Sequence, residues 1–340
     1  MALALFCLAG PGLSTRAGAV EPETGADDTI GIRLLEAPTD RRADPRALRY
    51  IVDHLPPGTT IKRQLLIVNR TGESRRVDVY PAAATLEGSA FRFGEGRAAN
   101  ELTSWVTLDQ GTVELEPWGE ARVRATITVP PAASRGERYG VVWASTTSTP
   151  RATGEISQVH RVGVRMYLNI GPGGEPPSDF SFGELRPARS PAGEPSLTVQ
   201  VRNTGDRALD LTGTVTLTDG PAGSRAGPFP VGQGVTLAPG GTGQVVARFP
   251  VELPNGPWKA EVNLESGMVK RSVTAQIRFP DAGQVGKRGS VVSRLTSVWV
   301  VGSAVAGLLL LTGLAMLARR SRRPSGPPAE QPRERIPAGG

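Results

Sequence analysis

The chain of 340 residues carries 42 glycines, 30 prolines, two histidines and one cysteine, with a formal net charge of +7. A single cysteine excludes an internal disulfide and a thiolate metal cluster, and two isolated histidines make no metal site, so no metal or other cofactor is expected. The positive charge is no nucleic-acid footprint, because it gathers at the C-terminus rather than on one folded patch: six arginines stand against two glutamates after Leu317, and Lys287, Arg288 and Arg294 outnumber Asp281.

Residues 1–19 open with an apolar run, Met1 to Ala9, which is broken by Gly10-Pro11-Gly12 and followed by Ala17-Gly18-Ala19. That is the pattern of a secretory signal peptide with its small-residue cleavage site. The basic stretch that normally precedes such a run is missing, so the start codon is expected upstream.

From 29 to 171, short apolar alternations are punctuated by turns. The pattern predicts strands over 30–35, 48–54, 61–68, 75–80, 91–93, 105–108, 113–115, 121–129, 139–146 and 159–170. Leu55-Pro56-Pro57-Gly58-Thr59, Asn69-Arg70-Thr71-Gly72 and Glu116-Pro117-Trp118-Gly119 supply turn chemistry between them. Val123, Ala125, Ile127 and Val129 alternate with Arg122, Arg124, Thr126 and Thr128, which puts the apolar set on one strand face. Tyr139, Val141 and Trp143 also share a face and are expected in the core, as is Trp105. The class is all-β, a β-sandwich of immunoglobulin-like type.

The order of motifs carries a resemblance. Tyr50 is followed by the Leu55-Pro56-Pro57-Gly58-Thr59 turn and by Leu66-Ile67-Val68-Asn69. Asn100-Glu101-Leu102 leads into Trp105-Val106-Thr107-Leu108, and Val113-Glu114-Leu115-Glu116-Pro117 follows. Ile127-Thr128-Val129-Pro130 and Gly136-Glu137-Arg138-Tyr139-Gly140-Val141-Val142 close the region. This order resembles the peptidoglycan-binding domain of the WxL-interacting protein family. The resemblance implies an exported protein with two β-sandwiches and a C-terminal membrane helix, and it implies peptidoglycan and a WxL-domain or other surface protein as partners.

Gly171-Pro172-Gly173-Gly174-Glu175-Pro176-Pro177 is a linker by composition, and the region 180–280 after it partly repeats the first. Val68-Asn69-Arg70-Thr71-Gly72-Glu73 recurs as Val201-Arg202-Asn203-Thr204-Gly205-Asp206. Val113-Glu114-Leu115-Glu116-Pro117-Trp118-Gly119 recurs as Val235-Thr236-Leu237-Ala238-Pro239-Gly240-Gly241, and Gly136-Glu137-Arg138-Tyr139 is echoed by Gly256-Pro257-Trp258-Lys259. A second, smaller immunoglobulin-like sandwich is expected; two independent uses of common turns is the alternative. Residues 281–297 then form a juxtamembrane linker. The uncharged stretch 298–318 is long enough to cross a bilayer of roughly 30 Å as a helix. Arg319, Arg320, Arg322 and Arg323 directly after it mark the tail 319–340 as cytoplasmic and the bulk of the chain as extracellular, a single-pass type I arrangement.

No Gly-x-Ser-x-Gly elbow, P-loop or dinucleotide fingerprint occurs. His54 and His160 read as strand histidines, and the carboxylate pairs Asp27-Asp28 and Glu114/Glu116 read as solvated. Trp118 differs, because it sits in a turn where the second copy has Gly240. An exposed indole there is a candidate binding residue for a sugar face or a partner pocket; an indole folded back over the sandwich end is the alternative. The expected function is therefore a non-enzymatic, membrane-anchored surface protein that binds peptidoglycan or another surface protein, with no small-molecule substrate. The alternative is a membrane-tethered chaperone or accessory factor of a surface or secretion complex, which would offer a sheet edge for strand addition.

Overall fold

The computed structural model describes residues 30–147, 157–232 and 234–292. The expected signal peptide at 1–19, the membrane span at 298–318 and Arg319, Arg320, Arg322 and Arg323 lie outside the described residues. Among those described, no helix is long and apolar enough to cross a membrane.

The chain is all-β. Its first half contains β1 (Ile30–Leu34), β2 (Ile51–Leu55), β3 (Thr60–Asn69), β4 (Arg75–Glu87) and β5 (Ala90–Phe93), then a single helical turn, α1 (Glu101–Ser104). After it come β6 (Val106–Leu108), β7 (Thr112–Leu115), β8 (Glu120–Thr128), β9 (Gly136–Thr147) and β10 (Val159–Ile170). One sheet runs β1-β3-β8-β6; the other runs β2-β10-β9-β4-β5, with β7 also paired to β4. β2 and β10 are parallel, whereas β9 and β10 are antiparallel along their whole length. Val123, Ala125 and Ile127 of β8 are fully buried and share one core with Val142, Ala144, Val164, Met166 and Leu168 of the facing sheet. Trp105 belongs to the same core.

The sequence expectation differs from the structure at four places in this half. Tyr139, Val141 and Trp143 do not enter the core between the sheets, which takes the alternate set Val142 and Ala144. They lie on the opposite face of β9, and Gly140 through Thr146 are buried on both sides. A near-continuous apolar run is the mark of a strand covered on both faces. Trp143 lies against Gly163, where an added Cβ would come within 2.7 Å of the indole, so only glycine fits opposite it. Secondly, the strand expected from residue 48 begins at Ile51. Arg49 N–H and Tyr50 N–H both donate to Arg46 O in a turn, and Leu48 is 56% exposed. Thirdly, β4 runs on through Pro81 to Glu87. Val79 N–H donates to Gly111 O and Ala83 N–H to Ala98 O, outside the strand ladder. Pro81, between them, has its missing donor on that same side, where no partner strand needs it. Finally, Asn100 and Thr103 form a reciprocal cap, Asn100 Oδ1 accepting from Thr103 N–H at 3.0 Å and Thr103 Oγ1 from Asn100 N–H at 2.8 Å, which sets the one helical turn.

The second half contains β11 (Phe180–Arg189), β12 (Pro195–Asn203), β13 (Leu209–Thr218), β14 (Ala226–Pro230), β15 (Val235–Leu237), β16 (Thr242–Arg248), β17 (Gly256–Ser266), β18 (Val269–Phe279) and β19 (Ser290–Val292). Its sheets run β11-β12-β16 and β14-β13-β17-β18-β19, with β15 on β13. They enclose a second core that includes Leu197, Val199, Val245, Trp258, Val262 and Ile277. Gly286 N–H donates to Pro187 O and Gly289 N–H to Leu185 O, so ordered backbone pairing continues to β19, inside the stretch 281–297 expected as a linker.

The repeated turns share the same pattern of asparagine hydrogen bonds, with one more donation in the second. Asn69 Nδ2 donates to Glu73 O and Glu116 O, and its Oδ1 accepts from Thr71 N–H. Asn203 Nδ2 donates to Arg207 O, Leu237 O and Ala238 O, and its Oδ1 accepts from Gly205 N–H. Asn69 N–H reaches Gly119 O at 2.9 Å, and Asn203 N–H reaches Gly241 O at 2.8 Å. The equivalence therefore runs Asn69 to Asn203, one residue later than an alignment on Val68 and Val201. Each asparagine is a hub that ties two turns at one end of its sandwich. Asn203→Ala should cost about 2–3 kcal/mol, because it leaves buried carbonyls without donors; denaturant unfolding of the purified chain measures it, and a loss under about 0.5 kcal/mol would contradict the hub role.

Candidate functional site

Two features stand out from the scaffold: a polar seam between the sandwiches and the Trp118 turn. The seam forms on the outer face of the β9–β10 sheet. The ring of Tyr167 of β10 packs at an angle against those of Phe91 (5.2 Å), Tyr50 (5.6 Å) and Tyr139 (5.9 Å), and Ala208 from the second sandwich packs into this cluster. Beside Ala208, on β13, lies Asp210. Its Oδ1 accepts from Tyr167 Oη at 2.8 Å and from Thr236 Oγ1 at 2.7 Å, with Arg165 Nη1 at 3.5 Å. Its Oδ2 accepts from Arg46 Nε at 2.9 Å, and Arg46 Nη2 lies 2.9 Å away as an ion pair. Arg46 Nη1 donates to Ala208 O, and Ala208 N–H donates to Glu137 Oε2, which also accepts from Tyr139 Oη.

Burial sets the protonation states here. Burial acts to lower the pKa of Arg46, but Asp210, backed by Tyr167, Glu137 and Asp44, outweighs it and leaves Arg46 raised and charged. Burial pushes the phenols of Tyr167 and Tyr139 up, helped by the charges of Asp210 and Glu137 respectively, so both stay protonated and donate. Burial also raises Glu137; hydrogen bonds from Tyr139 and Ala208 and the charge of Arg46 pull it back only in part. Among the described residues its Oε1 has no hydrogen-bond partner, consistent with a carboxylate poorly solvated on that side.

Trp118 occupies the turn between β7 and β8 and is 70% exposed. Its φ is +59°, in the left-handed region, as is that of its counterpart Gly240 at +71°. Trp118 N–H donates to Thr71 O at 3.0 Å, and the indole nitrogen lies over Gly72. The turn thus has a shape that suits glycine, yet one copy carries the largest side chain, facing solvent.

The remaining sequence candidates are not brought together. His54 is half-buried in β2 with Nδ1 2.9 Å from Asn169 Oδ1, and His160 lies half-buried in β10. Glu114 and Glu116 are exposed, with Arg76 and Ser74 as respective neighbours. Asp27 and Asp28 lie outside the described residues. Among the described residues no group of three His, Cys, Asp or Glu is placed to hold a metal. Arg46, Glu137, Tyr167 and Asp210, which build the seam, carry no local sequence signal, since they lie up to 164 residues apart.

No protein-family model matches the chain, and no curated protein matches it. Among solved structures it is similar to the Pseudomonas aeruginosa CupB2 chaperone, at 13% identity over 69% of this chain and 97% of that one, with a TM-score of 0.36. It is also similar to the Salmonella enterica SafA pilin in complex with the SafB chaperone (10% identity, 72% and 94% covered, TM-score 0.38) and to the class 5 fimbriae chaperone CfaA (10%, 72% and 98%, TM-score 0.35).

Two expectations come from the seam. Asp210→Ala strands the Arg46 charge and should cost about 3–5 kcal/mol, read as a lowered midpoint in thermal or denaturant unfolding. Because the folded protein holds the Glu137 proton more tightly than the unfolded chain does, this group's contribution to stability is fully present below its usual value of about 4.5 and is lost as pH rises through the raised folded value. Glu137→Gln keeps an acceptor for Tyr139 and Ala208 but removes the titration. The variant should gain on the wild type as pH increases from 4 towards neutrality; a difference that stays flat over that range would assign Glu137 an ordinary titration.

Proposed function

We propose that this chain is a non-enzymatic surface protein, held at the membrane by residues 298–318, which engages peptidoglycan or a surface protein through the Trp118 end of its first sandwich. The observation that carries this reading is Trp118 itself: a solvent-facing indole in a left-handed backbone, in a turn whose twin does the same structural work with Gly240. A left-handed conformation costs a non-glycine residue about 1–2 kcal/mol, and backbone strain of this kind gathers at functional positions. Tryptophan offers a broad apolar face and one polar handle, which suits a sugar ring or a partner pocket. The resemblance of the first region to the WxL-interacting family supports the same class of partner and the same membrane-anchored layout.

A second reading, an accessory or chaperone-like factor that adds a partner's strand to its own sheet, is favoured by β16. That strand is the edge of its three-stranded sheet and, among the described residues, meets only an isolated bridge at Val231–Ala247 on its outer side.

Trp118→Ala and Trp118→Gly separate these readings. Glycine should fold about 1 kcal/mol more stably than alanine at this site, because it adopts positive φ without strain. Both variants should weaken co-sedimentation of the intact chain with purified cell wall, or capture of its surface partner, by about 1–2 kcal/mol. Unchanged wall and partner binding by both folded variants would remove Trp118 from the site and leave the sheet edge as the better reading.

A further inference from the structure

The seam opens, near the linker, into a cavity of about 350 Å³ lined by Arg41, Arg46 and Arg207 together with Asp44 and Glu175. A space of this size is at the small end of ligand pockets, which run from about 300 to 1,000 Å³. Arg207 is the unusual member. Its side chain is 3% exposed, Nη1 pairs with Glu175, and Nε and Nη2 make no hydrogen bond with any described residue. A buried guanidinium that leaves its Nε–Nη2 edge empty forgoes the fork geometry that makes arginine a two-point ligand for oxyanions. Nor does the local fold require an arginine here. Asn203 holds residue 207 through its backbone carbonyl, and at the matching position of the first sandwich the residue is Glu73, exposed on the surface.

Glu175 is the other half of the device. It rises from the Gly/Pro-rich linker, pairs with both Arg41 and Arg207, and is 39% exposed at its side chain. Arg46 is already matched by Asp210, and Arg41 also has Asp44 at 3.4 Å. The linker carboxylate is thus the one anion in the cavity that a short backbone swing can withdraw to solvent. We infer that Arg41 and Arg207 form a binding site for a small oxyanion, of phosphate or carboxylate type, which enters by displacing Glu175 and uses the empty edge of Arg207. The site is separate from the Trp118 surface and stands or falls independently of it.

The test titrates inorganic phosphate and, in a separate arm, acetate into the full-length protein, read by calorimetry and by the shift in unfolding temperature. Glu175→Gln removes the resident anion and should tighten binding of the preferred probe by about tenfold or more, as for loss of a charge-assisted competitor. Arg207→Gln should abolish that binding while Arg122→Gln, exposed on the outer face of β8 in the other sheet, leaves it unchanged. Phosphate binding alone assigns a tetrahedral anion, and acetate binding alone assigns a carboxylate. If neither probe binds wild type or Glu175→Gln, or if Arg207→Gln binds as well as its parent, the proposal is overturned.

Discussion

The Asp210 carboxylate is the constraint on which the arrangement of the two sandwiches rests. It comes from the second sandwich and receives hydrogen bonds from Tyr167 and Arg46 of the first, while Thr236 of its own sandwich completes the set. A carboxylate taken out of water is costly unless donors surround it. Here the donors come from three separate elements, so the cost is met in one relative orientation of the sandwiches and in few others. Apolar surfaces can slip past each other with little penalty; a set of directional bonds around one charge cannot. The aromatic cluster of Tyr50, Phe91, Tyr139 and Tyr167 supplies the area that keeps water away from this charge.

Most of the fold was legible in the sequence because strand patterning is local. The alternation in β8 identified its buried face, and the strand over 159–170 was read with its correct ends. The Asn-containing turns revealed the internal repeat, although valines were a poorer guide to its register than the asparagine whose side chain does the bonding. What was not legible depends on distance along the chain. The apolar run of β9 does not say which of its faces meets the other sheet; β5 and the second sandwich cover the face that carries Tyr139 and Trp143. Arg46 and Asp210 look like ordinary surface charges until the fold brings them within 2.9 Å. The turn that starts β2 late is set by Arg46, whose side chain is committed to the seam.

The two candidate binding features share a logic. At both Trp118 and Arg207 the local backbone is held by an asparagine hub that does not depend on the side chain in question. In each case the twin turn performs the same folding role with a different residue, Gly240 or Glu73. The repeat therefore acts as an internal control, separating what the sandwich needs from what has been added to it. Trp143 and Trp258, by contrast, are structural: each is buried, and each lies against a glycine that admits no side chain.

The doubled turn also bears on the chain's history. If the two sandwiches descend from one ancestral unit, the asparagine hub is the part that neither copy could lose, because losing it opens the end of a sheet. The positions beside it differ between the copies: one carries an indole that looks outward, the other a guanidinium that looks inward to the seam. A duplicated scaffold of this kind lets new contacts accumulate at its rim without renegotiating its core.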